Sequence, residues 1–317
     1  MDATDFQRIL DDIAAEIRPL LDGCLDAGKV ASYIPALARV PADRFGIALR
    51  TRDGAEFRAG DATTPFSIQS VSKLFTLTMA MRHFGEDLWQ RIGREPSGNP
   101  FNSLVHLENE QGKPRNPFIN AGAIAVADRL VSRARAHGAA GDACARVLAL
   151  MSDLAGEPVA FDEEVAASEA ATGFRNVALA NFMKSFGKID NDVADVLDLY
   201  FHQCALRMSC VQLARAANFL CRDGMHPFAG RPTVVTDRQA RRINALMLTC
   251  GTYDAAGDVA FSIGLPCKSG VGGGIVAVVP DRLTLCVWSP ALDATGNSLL
   301  GMKALESFVA RTGLSIF

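Results

Sequence analysis

Ser70 and Lys73 stand three residues apart at the head of an apolar run, Lys-Leu-Phe-Thr-Leu-Thr-Met-Ala-Met. On a helix, positions i and i+3 share a face, so the lysine amine there can reach the serine hydroxyl and take its proton. A serine at a helix N-terminus also has free backbone N–H groups and the positive dipole end beside it, and both stabilise negative charge on a substrate oxygen. One turn can therefore supply nucleophile, base and oxyanion donor for acyl transfer. Spacing alone does not single out this pair, because Ser185 and Lys188 repeat it. Their context differs: Gly187, Asp190 and Asn191 give a turn-like composition.

A second stretch far downstream, Lys268-Ser-Gly-Val-Gly-Gly-Gly274, leads into a strongly apolar run. A glycine-rich run can cradle a phosphate, but here no helix and no Lys-Ser/Thr pair follow it. Glycines at the edge of a strand instead let backbone approach a reacting carbonyl, so the Val271 N–H is a candidate second oxyanion donor.

These two stretches meet only if the chain brings its ends together, and the hydrophobic pattern predicts that. Phe6, Ile9, Leu10, Ile13 and Ile17 recur at helical spacing. Phe45–Thr51 and Glu56–Gly60 flank an Asp-Gly turn and read as a hairpin. Val259–Gly264, Gly273–Val279 and Leu283–Trp288 read as strands, and a last helix is expected over Asn297–Arg311, capped by Asn297 and ended near Gly313. Between them, Leu130–Arg135, Cys144–Leu154, Asn176–Phe186, Val193–Leu206 and Val211–Asp223 carry helix-spaced apolar positions. Loops at Pro96–Pro100, Gln111–Pro117 and His226–Pro232 are placed to line a cleft. The expected fold is α/β (α+β): an antiparallel sheet formed from both chain ends and flanked by terminal helices, with a large inserted all-helical lobe. The expected lobes are 1–66 plus 255–317 and 67–254, with the active site in the cleft between them.

The chain has 317 residues, 49% of them hydrophobic, enough to bury a large core. A net charge of −3 gives no reason to expect nucleic acid or an anionic membrane as partner. The acidic N-terminus does not read as a secretory signal, no segment reads as membrane-spanning, and eight cysteines without regular spacing suit a reducing cytoplasm. The five histidines make no i+3 or i+4 ligand pair and do not cluster with cysteine in sequence, so no metal site is expected.

Several runs, in order, carry a family likeness: Ser-Tyr-Ile-Pro at 32–35, Gln-Ser-Val-Ser-Lys at 69–73, Asn-Pro-Phe-Ile-Asn-Ala-Gly-Ala at 116–123, Ser-Glu at 168–169, Arg-Asn at 175–176, Leu-Tyr-Phe at 199–201, Cys-Gly-Thr-Tyr-Asp at 250–254 and Leu-Pro-Cys-Lys-Ser-Gly-Val at 265–271. Over nearly its whole length the sequence resembles the serine-dependent glutaminases, relatives of β-lactamases and penicillin-binding proteins, in which Ser-x-x-Lys is paired with a later Lys-Thr-Gly. Lys268-Ser269-Gly270 is the analogue of that triplet here. Small departures are Cys267, where alanine is familiar, and the unbroken Gly272–Gly274.

The resemblance implies L-glutamine as substrate, no cofactor and a homodimer or homotetramer. It implies that glutamine acylates Ser70, that Lys73 takes the serine proton and that Tyr253 relays a proton to the leaving ammonia. Which of Lys73 and Tyr253 is the base in each half-reaction stays open. A lysine base must be neutral, so desolvation and the like charge of Lys268 are expected to lower its pKa. Glu169 is assigned the substrate ammonium, and Asn120, Asn176, Tyr33 and Tyr200 the carboxylate and amide, with Val271 beside the reacting carbonyl. Two alternatives stay open on the same scaffold: a β-lactam hydrolase or D-Ala peptidase, which a Ser-Asp-Asn motif would favour, and a catalytically silent amino-acid-binding protein.

Overall fold

The computed structural model describes residues 3–23, 28–98, 102–136 and 143–317. Cys24, His137 and the Asn99–Pro100 end of the first expected loop lie outside them.

Eight strands follow in chain order: β1 (Gly46–Thr51), β2 (Glu56–Gly60), β3 (Phe66–Ser67), β4 (Ala160–Phe161), β5 (Leu206–Met208), β6 (Cys267–Ser269), β7 (Gly274–Val279) and β8 (Leu283–Trp288). Five form one antiparallel sheet in the order β2-β1-β8-β7-β6, so both chain ends build it as the hydrophobic pattern predicts. The hairpin pairs Gly46 with Gly60 and Arg50 with Glu56.

Central strands β7 and β8 are buried on both faces and divide their side chains by alternation. Ile275, Ala277, Leu285 and Val287 join a core with Leu10, Ile13, Leu305 and Phe308 of the terminal helices Ala3–Ile17 and Leu299–Thr312. Val276, Val278, Cys286 and Trp288 face the other way, into a larger core with Leu74, Phe75, Leu213 and Phe219. Each such fully buried aliphatic or aromatic side chain contributes roughly 1.5–3 kcal/mol.

Helix Ser72–Phe84 is buried almost all round, which is why its sequence shows little amphipathy. Its two threonines bond back to their own helix: Thr76 Oγ1 donates to Ser72 O at 3.4 Å and Thr78 Oγ1 to Leu74 O at 2.8 Å.

Three expectations are corrected. Val259–Gly264 is not a strand: Ala256–Ser262 is helical, with Val259 buried and Phe261 95% exposed. A short apolar run fits either period, and the strand comes later, at β6. Residues 67–254 are not all helical, because β3, β4 and β5 form a second sheet in the order β3-β5-β4. Strands of two or three residues are too short to show alternation. The last helix is capped by Ser298, whose side chain accepts from Gly301 N, not by Asn297. The Asn297 amide instead donates to Thr252 O at 3.1 Å and Thr295 Oγ1 at 2.8 Å, tying down the turn before Tyr253.

Candidate active site

The chain enters the site through β3. Ser67 Oγ donates to Cys204 O and Ile68 N to Leu206 O, which fix the backbone just before the motif. Gln69 then takes a φ of 49°, rare for a side-chain-bearing residue, and Gln69–Val71 forms a 3₁₀ turn leading straight into helix Ser72–Phe84. Ser70 therefore lies at the helix entrance, 7% exposed.

Backbone-to-backbone packing brings the downstream stretch to this turn. A Cβ on Gly270 would lie 2.5 Å from Ile68 O and 3.2 Å from Ser70 N, so only glycine permits the approach. Trp288 Nε1 donates to Gly272 O at 3.0 Å and its ring stacks on Phe66, holding the same junction from below. Val271 thereby lines the same cavity as Ser70.

Tyr253 arrives from a third element, the short turn Tyr253–Ala255, with a φ of 57°. Its hydroxyl is hydrogen-bonded with Ser70 and donates to Ser269 O at 3.3 Å. Burial raises its pKa far above that of an ordinary phenol, so it stays protonated.

Lys73 is 1% exposed. Its Nζ donates to Asn120 Oδ1 at 2.7 Å and Phe118 O at 3.3 Å, and the Asn120 amide in turn donates to Asn176 Oδ1 at 2.9 Å. Among the described residues no hydrogen bond joins Lys73 directly to Ser70, although the turn sets them side by side. Desolvation lowers the Lys73 pKa to about 8, against the opposing pull of Cys204 and Glu169. The repulsion expected from Lys268 falls on the other partner: Lys268, fully buried, is held well below its usual value by desolvation and then by Lys73. Lys268 Nζ donates to Gly251 O and Ser269 O beneath the Phe118 and Tyr253 rings, which ties β6 to the turn before Tyr253.

The cavity beside Ser70 holds about 110 Å³. Glu169, Asn120, Asn176, Tyr33 and Tyr200 all line it. Glu169 comes from helix Glu163–Thr172, capped by Asp162, and is 7% exposed. Burial raises its pKa to about 7, while a hydrogen bond from Gln69 and the charge of Lys73 oppose the rise. Tyr200, on helix Val193–Cys204, is fully enclosed and its hydroxyl is pushed up by burial. Tyr33 stands at the mouth, 58% exposed as a residue, with its hydroxyl raised by desolvation and by the Glu169 charge.

Gln69 and Cys204 line the cavity as well and were not singled out by sequence reasoning. Gln69 sat inside the Gln-Ser-Val-Ser-Lys run, and its left-handed backbone was the signal that sequence could not display. Away from the pocket, Cys144, Asp198 and His202 bring ligand-type atoms within 4.8 Å of one another across two helices. Spacing along the chain gives no sign of this grouping, because Cys144 and His202 meet only through the packing of their two helices.

The sequence model of the Glutaminase family matches residues 28–317. The chain belongs to the glutaminase family. It is 55% identical over 313 residues to a glutaminase of Rhizobium meliloti (strain 1021), covering 99% of this chain and 97% of that one. A glutaminase of Rhodopseudomonas palustris (strain TIE-1) is 56% identical over 311 residues and 98% of both chains. The solved structure of a probable glutaminase of Bacillus subtilis superposes with a TM-score of 0.87 at 32% identity, covering 100% of this chain and 99% of that one. The mixed α/β architecture with antiparallel sheets is thus that of solved members of the family. Among the described residues no helix is long and apolar enough to cross a membrane.

Proposed function

We propose that the chain hydrolyses L-glutamine to L-glutamate and ammonia through an ester of Ser70. The observation that carries this reading is that Ser70 lines one cavity with Glu169, Asn120, Asn176 and Tyr200, while Tyr253 bonds Ser70 and buried Lys73 donates to Asn120 from behind that cavity's wall. Lys73, brought to about 8 by burial, has an appreciable neutral fraction near neutral pH and takes the Ser70 proton as Oγ bonds to the amide carbon. The N–H groups of Ser70 and Val271 receive the oxyanion. The carbon–nitrogen bond breaks with a proton from the Tyr253 hydroxyl, which is restored from the Lys73 ammonium, and ammonia departs. Water then adds to the ester, its proton passing to Lys73 and back to Ser70 as glutamate leaves.

Recognition follows charge. Glu169, ionised above about 7, takes the substrate ammonium, and the amide of Asn176 with the hydroxyls of Tyr33 and Tyr200 serves the carboxylate and the side-chain amide. Lys268, Ser269 and Gly270 support this set by holding Tyr253 and the Ser70 turn.

We extend the proposal to architecture: a β-lactamase-like arrangement in which 1–66 with 255–317 forms the sheet lobe and 67–254 an inserted, mainly helical lobe. Seven free cysteines among the described residues suit a cytoplasmic site of action. Exposed Phe174, Phe261 and Phe317 suit burial in a homodimer or homotetramer, which light scattering tests. The deciding experiment for function is ammonia release from glutamine by the wild type and Ser70→Ala. Activity is expected in the first and a loss of about 10⁴-fold or more in the second; full activity in Ser70→Ala would sink the mechanism.

A further inference from the structure

A second cavity, of about 670 Å³, lies on the other side of Tyr253. It is lined by Phe118, Ile119, Leu248, Thr249, Tyr253 and Gly257 among others, and it opens outward where Asp254 and Gly257 are exposed. Its partition from the Ser70 cavity is thin. Tyr253 lines the large cavity while its hydroxyl bonds Ser70, and Ile119 lines the large cavity while the next residue, Asn120, lines the small one.

The order of the reaction makes this arrangement consequential. Once the ester forms, the glutamyl group fills the 110 Å³ cavity, with its ammonium and carboxylate held at the Glu169 and Asn176 end. Ammonia must still leave the reacting carbon, and water must still reach it, before that group departs. The leaving nitrogen takes its proton from Tyr253, so it is released against the wall that the large cavity shares. The lining of that cavity is mostly apolar, with Phe118, Ile119 and Leu248 beside Asn116, Thr249 and Asp254, and suits a small neutral molecule rather than an ion.

We propose that the cavity behind Tyr253 is a second entrance to the reacting carbon, the route by which ammonia leaves and water enters the occupied site. This rests on the hydrolytic reading above. The stoichiometry is unchanged: one glutamine and one water give one glutamate and one ammonia, with only the path of the small molecules assigned.

The test fills the cavity from two independent helices. Gly257→Leu acts from helix Ala256–Ser262, where an added Cβ meets nothing within 4 Å, and Thr249→Leu acts from helix Asp237–Cys250. Gly257→Ala is the size control. If the cavity is the route, deacylation slows in both leucine variants: kcat falls about tenfold, the KM for glutamine falls with it, and kcat/KM holds. A glutamyl adduct on Ser70 then becomes visible by mass spectrometry of the intact protein after a rapid quench. The Gly257→Ala variant keeps wild-type constants. The inference is overturned if both leucine variants, melting like the wild type, keep wild-type kcat. Wild-type protein releasing no ammonia would instead overturn the hydrolytic reading, which separates the two failures.

Discussion

Ser70-Val-Ser-Lys73 and Ser185-Phe-Gly-Lys188 share one spacing and sit at opposite ends of their helices. The first pair opens helix Ser72–Phe84, and the second closes helix Phe174–Ser185. At the opening the free backbone groups are N–H donors and the dipole end is positive; at the closing they are carbonyls and the end is negative. An oxyanion is stabilised at the first place and repelled at the second. Burial separates them as well. Ser70 and Lys73 are enclosed, whereas Ser185 is exposed, with its hydroxyl donating to Phe182 O at 2.7 Å. The serine–lysine spacing is thus a matter of chain geometry, and the chemistry comes from what surrounds it.

The largest expected divergence is at the lysines. Lys73→Met is expected to lower kcat about 10³-fold, as befits loss of a general base, while Lys188→Met leaves it unchanged. Lys73 also has a signature in stability against pH. The folded pKa of Lys73 is depressed from 10.5 to about 8, so the unfolded chain binds the extra proton between those values and stability rises with pH across that window. Because neighbouring thiols and phenols titrate there too, the quantity to measure is the melting temperature of wild type minus that of Lys73→Met. It should rise from pH 8 to 10.5. A flat result would mean that burial does not set this lysine apart.

Next in size is Gly270→Ala. Its methyl would stand 2.5 Å from Ile68 O, so the Ser70 turn or β6 must shift by about 1 Å to regain ordinary contact. A shift of that order at a nucleophile costs about 100-fold in kcat/KM. Steady-state kinetics on a variant that still melts cooperatively reads this directly.

Smaller again is the pH profile. The proposed mechanism needs Glu169 ionised and Lys73 neutral in the free enzyme, so kcat/KM is expected to fall about tenfold per unit as pH drops from 8 to 7 and more steeply below 7. Tyr253 contributes no limb on the alkaline side below pH 10, because burial keeps it protonated. Glu169→Gln should remove the second, steeper segment and raise KM. An unchanged profile in that variant would break the assignment of the ammonium to Glu169.

What the sequence made legible follows from the same physics. The terminal helices declare themselves by helix-spaced apolar faces, and β7 and β8 by short unbroken apolar runs between turn signals, because those residues are the ones the core buries. The site residues were readable as types inside motifs, and all of Ser70, Asn120, Glu169, Asn176, Tyr200, Tyr33 and Val271 line one cavity. Long-range arrangement was not readable: the backbone turn at Gln69, the partners that occupy Lys73, and the face that Tyr253 turns to a second cavity depend on contacts between distant segments. The Val259–Gly264 run misled because six residues, apolar on and off, fit a helical period as well as a strand's.

The smallest effect bears on the second member of the pair. Gly187 follows the helix end with a φ of 65°, and a Cβ added there meets nothing within 4 Å. An alanine would suffer no clash, so its whole cost is the left-handed backbone, about 1 kcal/mol. Gly187→Ala should therefore lower the melting temperature by about 2 °C in a chain of this size and leave kcat and KM at their wild-type values. Gly270 and Gly187 each sit beside a serine–lysine pair, yet one substitution is read in the kinetics and the other only in the melt. Were Gly187→Ala to cost activity in the manner of Gly270→Ala, the Ser185 turn would be coupled to the pocket. The contrast between a helix entrance built for chemistry and a helix exit built for chain reversal would then fail.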